Sequence, residues 1–150
     1  MANLNVFYAQ WSPRLLSVLR IVTGLLFMMH GTQKLFNYPP GPPGMFPISL
    51  PTRGGVAGIL EFVGGLLIIV GLFTRPVAFI LSGLMAFAYF MGHFSMDAFW
   101  PIQNRGELAA VYCFIFLYMA VAGGGQWSID YCLSRRGGRT DNSGDFLAAK

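Results

Sequence analysis

The 150-residue chain is 55% hydrophobic and only 11% charged, with a formal net charge of +4 and a mean hydropathy of +0.56. A soluble domain of this size carries about a quarter charged residues, so a globule surrounded by water is excluded. The ten Lys and Arg residues are dispersed apart from the tail run "SRRGGR", which argues against a nucleic-acid surface and reads as the positive-inside marker of a membrane protein.

In chain order, four apolar blocks approach the roughly 20 residues that a helix needs to cross a bilayer: 15–36, 54–73, 76–96 and a shorter one at 107–123. Arg20 interrupts the first block and no small-x-small site follows it, so the block reads as a retained span and not as a signal peptide. The connection "NYPPGPPGMFPISLPTRGG" carries six prolines between Pro39 and Pro51, which exclude a helix and predict an extended, semi-rigid cap. The next connection, "GLFTRP", is so short that the second and third spans must form an antiparallel hairpin. In "DAFWPIQNRGE", Phe99 and Trp100 suit an aromatic belt at interface depth. After the fourth block, Ser128 is placed to cap a short helix with Ile129 and Leu133 on one face, lying on the membrane surface. Residues 134–150 are polar and are expected to be disordered.

The fold expected is therefore all-α: an integral-membrane four-helix bundle, residues 1–133, with a short cytoplasmic amphipathic C-terminal helix. Arg14, Arg75, Arg135, Arg136, Arg139 and Lys150 fall on one side, against Arg53, Arg105 and Lys34 on the other, which predicts both termini in the cytoplasm. Cys113 lies at membrane depth and Cys132 beyond it, so no disulfide is expected. Gly54 with Gly58, Gly64, Gly65, and Ser82 with Ala86 supply the small surfaces that let membrane helices approach closely.

A charge near the centre of a bilayer costs about 2.5–3.5 kcal/mol on insertion scales, so the polar residues inside the spans are the functional candidates. They are Arg20, His30, Gln33 and Lys34 in the first span, Glu61 in the second, His93 in the third and Glu107 at the start of the fourth. With about 1.5 Å of rise per residue, His30 and Glu61 both lie about 10 Å below the same outer end. At 100° per residue Arg20, Phe27, His30 and Lys34 share one stripe, which should face the bundle. Lys34 and Arg20 are long enough to snorkel to headgroups instead, and Glu61 can also be read as half of a structural ion pair. Two histidines and two carboxylates can in principle hold a metal, but no ExxH or HxxxH spacing supports one.

A quinone site needs hydrogen-bond donors for its carbonyls, a group to handle protons, and aromatic walls. Glu61 and His93 are the candidates for proton handling. His30, Lys34, Tyr89, Glu107 and Tyr112 are the candidates for binding, with Arg20 balancing charge. The chain shows no flavin, haem or iron–sulfur motif, so an electron donor has to be a partner or a bound reductant. A non-catalytic scaffold or a small-molecule carrier is the alternative.

The segments "RIVTGLLFMMHGTQKLF", "GGVAGILEFVGGLLIIVGLFTRP", "AFAYFMGHF" and "FWPIQNRGELAAVYCFIFLYMAVAGGGQWSID" resemble the DoxX family of small bacterial membrane proteins. The likeness runs in order from Arg20 to Asp130 and includes His30-Gly31 with Lys34, Glu61 before paired glycines, His93, and Asn104 to Glu107. The resemblance implies four transmembrane helices in the bacterial inner membrane. It also implies a link to a thiosulfate:quinone oxidoreductase subunit and to membrane oxidoreductase complexes in redox defence. The proline-rich loop and the long tail are not assigned by it.

Overall fold

The structure is a computed structural model and describes residues 2–140. Helix α1 (Ala2–Phe36) is followed by α2 (Arg53–Val70) and α3 (Thr74–Ala88), which continues into a π-helical turn at Tyr89–His93. A short α4 (Pro101–Asn104), then α5 (Glu107–Ala122) and α6 (Ile129–Thr140) complete the order. The segments Leu4–Phe36, Arg53–Val70 and Thr74–His93 are long and apolar enough to cross a membrane, and α5 is a shorter apolar helix.

The helix ends differ from the expected spans for identifiable reasons. Helix α1 starts 13 residues before position 15 and runs through Pro13. The Pro13 carbonyl is used locally, accepting from the Ser17 hydroxyl at 2.9 Å and from the Gln126 amide at 3.3 Å. Helix α2 starts where the Thr52 hydroxyl accepts from the Gly55 amide at 3.1 Å and stops at Gly71, whose φ of 70° suits a residue without a side chain. Helix α3 opens at Thr74 because a remote residue caps it. The Asp130 carboxylate accepts from the Phe73 and Thr74 amides, each at 2.8 Å, a negative charge at the positive end of a helix.

At the C-terminal end Ser128 caps α6 as expected, its hydroxyl accepting from the Tyr131 amide at 3.1 Å. The helix continues to Thr140, past the point where a disordered tail was expected. Arg135 and Arg136 lie in its C-terminal half, where positive charge suits the helix dipole. The expectation for 141–150 falls outside the described residues.

Helix α1 packs along α2, and α3 along α5. The first pair meets through glycines of both helices. A methyl group built on Gly31 would press on the backbone of Gly58 and Phe62, and one built on Gly65 would lie 2.8–2.9 Å from Met28. Gly58 faces Lys34 and Leu35, whereas Gly54 faces Ile48 of the proline-rich loop, so the working pair on α2 is Gly58 and Gly65. Gly64 turns instead to Leu81 of α3, and Ser82 donates to the Cys113 carbonyl of α5 at 2.9 Å. Between the pairs sits a core of Phe27, Ile68, Leu81, Met85, Tyr112, Phe116 and Met119. Phe27 meets Phe116 edge-on with centroids 4.8 Å apart.

The fold has two distinct ends. The hairpin end holds the α2–α3 turn, Pro13, the Gly123–Gln126 segment and the start of α6, tied by the bonds above. The cap end holds the proline-rich loop and the connection from His93 to Glu107. The N-terminal part of α1, the hairpin turn and the C-terminal segment thus share one side, as their basic residues had implied.

Replacing Gly31 by Ala should destabilise the protein by about 1–3 kcal/mol, because the nearest atoms belong to the α2 backbone and cannot rotate away. Gly83→Ala, whose methyl would meet nothing within 4 Å, should be neutral or stabilising. Equilibrium unfolding in detergent distinguishes them, and equal losses at both positions would contradict the glycine contact.

Candidate functional site

Three hollows adjoin one another at the cap end. The innermost, about 190 Å³, lies between the helix pairs and is bordered by Phe27, His30, Lys34, Glu61, Met85, Ala88, His93, Arg105, Leu108, Ala109 and Tyr112. Glu61, on α2, is 3% exposed although it is ionisable. Its Oε1 lies 2.5 Å from Lys34 Nζ of α1, while its Oε2 is buried with no hydrogen-bond partner among the described residues. A buried acceptor left unpaired costs about 1–3 kcal/mol.

His93 reaches the chamber by way of the π-helical turn. The Phe94 amide bonds to the Tyr89 carbonyl at 2.8 Å, an i→i+5 closure that admits one more residue than an α turn. His93 Nδ1 lies 3.1 Å from the Asn104 carbonyl. A carbonyl only accepts, so Nδ1 carries the hydrogen and Nε2 of the neutral ring is an acceptor. Asn104 is itself held, its Nδ2 donating to the Ala98 carbonyl at 3.1 Å and its Oδ1 accepting from the Gly106 amide at 2.8 Å. On the facing side, Tyr112 of α5 is buried and stands edge-on to His30, with centroids 6.2 Å apart.

The structure therefore brings together His30, Lys34, Glu61, His93 and Tyr112. Tyr89 and Glu107 are placed elsewhere. Tyr89 begins the wide turn and its ring covers Gly106, where any methyl would lie 2.6 Å from the ring edge. Glu107 is exposed in the first turn of α5 and borders a shallow surface with Ile102, Arg105, Leu108 and Val111. An acidic residue there suits the positive end of the helix. Gln33 supports the loop by donating to the Pro39 carbonyl at 3.1 Å.

Arg20 neither snorkels nor meets Glu61. It is 0% exposed at the hairpin end, where Nε donates to the Gly124 carbonyl at 2.8 Å and Nη2 to the Trp127 carbonyl at 2.7 Å. Nη1 donates to the carbonyls of Ile68 and, at 2.5 Å, of Ile69. Lys34 is the cation beside Glu61.

Arg105 joins the chamber without having been singled out for it. Its left-handed backbone, φ 59°, turns the chain into α5, and a one-residue conformation of this kind leaves no periodic trace in a sequence. Among the described residues no three His, Cys, Asp or Glu side chains gather as a metal site would require.

The profile of the DoxX family matches residues 15–94, and that of "TQO small subunit DoxD" matches residues 55–149. The chain belongs to the DoxX family and is a multi-pass membrane protein. An uncharacterised protein of Haemophilus influenzae is 42% identical over 131 residues, covering 81% of this chain and 92% of its own. An uncharacterised membrane protein of Mycobacterium tuberculosis is 31% identical over 148 residues, covering 88% of each. No solved structure matches the chain.

Removing Lys34 alone should leave the Glu61 carboxylate buried without a counter-ion, a loss of about 3 kcal/mol. Lys34→Met should therefore unfold earlier than wild type, and the double variant Lys34→Met/Glu61→Gln should recover most of the loss. A double variant no better than the single one would show that the pair is not what makes Lys34 matter.

Proposed function

We propose that the protein is a component of a quinone-linked membrane oxidoreductase and that the chamber at the cap end receives the quinone ring. The observation that carries this reading is Glu61: a carboxylate with one oxygen on Lys34 and the other unpartnered at a cavity wall. That second oxygen can accept from a ligand hydroxyl or, once protonated, give its proton to a ligand carbonyl. His30 and Tyr112 supply hydrogen-bond donors on the side of α1 and α5, while His93 adds an acceptor on the side of α3. Phe27 and Tyr112 give the aromatic wall, and Lys34 holds the charge balance. The match to a small-subunit family supports a role beside other subunits, with the electrons supplied by a partner protein.

The same reading sets four transmembrane segments, with α5 as the short fourth, in a bacterial inner membrane. Both termini lie in the cytoplasm and α6 rests on the cytoplasmic surface, and the basic residues of the hairpin end support this orientation.

Purified protein should melt at a higher temperature with ubiquinone-1, by an amount equivalent to about 2.7 kcal/mol when the ligand is at 100 times its Kd. Glu61→Gln, which keeps the shape of the side chain, should insert normally and lose most of that rise. No shift in the wild type at saturating ubiquinone-1 would contradict the proposal and favour a structural ion pair in a scaffold or carrier.

A further inference from the structure

Along the bundle axis the chamber is bordered by two fastened connections and by the aromatic core, and it adjoins clefts at the sides. At the cap end the proline-rich loop is fastened by the Ile48 amide donating to the Lys34 carbonyl at 2.7 Å. The connection before α5 is fastened through Asn104 to His93, Ala98 and Gly106. Toward the hairpin end the space is filled by the aromatic core of Phe27 and Phe116. Two clefts between the helix pairs remain.

The larger cleft, about 590 Å³, lies between α2 and α3. These helices touch where Gly64 meets Leu81 and part toward the cap end. The walls there are Val56 and Ala57 on one side and Leu84, Phe87, Met91 and Gly92 on the other, with Pro51, Thr52, Arg53 and Gly54 forming the rim nearest the cap end. Lys34, Glu61, Met85, Ala88 and His93 border both this cleft and the inner chamber, so the two spaces share their polar wall. The smaller cleft, about 320 Å³, lies between α1 and α5, reaches His30 and Tyr112, and has Leu26 and Met29 on its walls.

We infer that the chamber is loaded from within the bilayer, and that its ligand is an amphiphile whose ring sits against Glu61 and His93 while its hydrocarbon tail lies in the α2–α3 cleft. This rests on the quinone reading of the chamber and adds the route and the tail. A hydrocarbon tail gains nothing from an aqueous path, and below the rim at Thr52 and Arg53 the apolar side chains of Val56, Phe87 and Met91 lead from the polar site to the exposed face of the bundle. Gly92 is the narrowest side chain on that wall, and a Cβ built there meets no atom within 4 Å. The first side-chain atom of a larger residue is therefore accommodated there without a clash.

The test compares decylubiquinone with its tailless benzoquinone head, ubiquinone-0, binding to the full-length protein in nanodiscs. Gly92→Phe should weaken decylubiquinone by about tenfold, the equivalent of roughly two buried methylenes, and leave the tailless head nearly unchanged. Ala57→Phe, on the facing wall, should do the same, and Leu26→Trp in the smaller cleft should affect neither. Selective loss of decylubiquinone in Leu26→Trp would overturn the inference in favour of the α1–α5 route. Unchanged decylubiquinone binding in both Gly92→Phe and Ala57→Phe would overturn it as well, leaving the cleft as a seat for a lipid acyl chain. Failure of both probes to bind wild type would instead overturn the quinone reading of the chamber.

Discussion

Arg20, itself fully buried, donates to four backbone carbonyls, those of Ile68, Ile69, Gly124 and Trp127. The last carbonyls of a helix have no partners within it, and unsatisfied backbone in hydrocarbon costs several kcal/mol per group. One guanidinium from α1 meets this requirement for the end of α2 and for the segment that follows α5. Asp130 does the converse service at the start of α3. The turn between α2 and α3 is thereby tied to α1 and α6 by charged groups whose bonds go to backbone, and the hairpin end becomes a fixed base.

A fixed base at one end permits an open site at the other. The pairs α1–α2 and α3–α5 are each closely packed, the first through glycines on both helices. Between the pairs the aromatic core fills the middle of the bundle, and beyond it the polar chamber begins. The ionisable groups there are held by tertiary bonds in fixed orientations: Glu61 by Lys34, and His93 by the carbonyl of Asn104. What is left over is an acceptor oxygen, an imidazole nitrogen and a phenol around a small space. Such residual capacity is what a ligand with its own donors and acceptors consumes.

Much of this was legible in the sequence because membrane helices are regular. Fourteen residues of α-helix fix the relation of Arg20 to Lys34, and both lie on the inner stripe with Phe27, as the period requires. The equal depth of His30 and Glu61 followed from rise per residue alone, and they meet at one chamber. The roles of Arg20 and Asp130 were not legible, since their partners are backbone groups that carry no sequence identity and lie dozens of residues away. Tyr89 lies outside the chamber, at the start of a π turn that departs from 100° per residue. Glu107 lies at the surface because it starts a helix whose apolar part follows it. Thr140 as the end of α6 was hidden by a composition that looked too polar to order.

In the proposed function Glu61 exchanges a proton with a ligand in the chamber. The most direct measurement is infrared difference spectroscopy of the purified protein, reconstituted with ubiquinone and cycled between its oxidised and reduced states. A carboxyl signal that changes with ligand redox state and vanishes in Glu61→Gln is expected. A difference spectrum in which quinone bands change while the carboxyl region stays silent would contradict it.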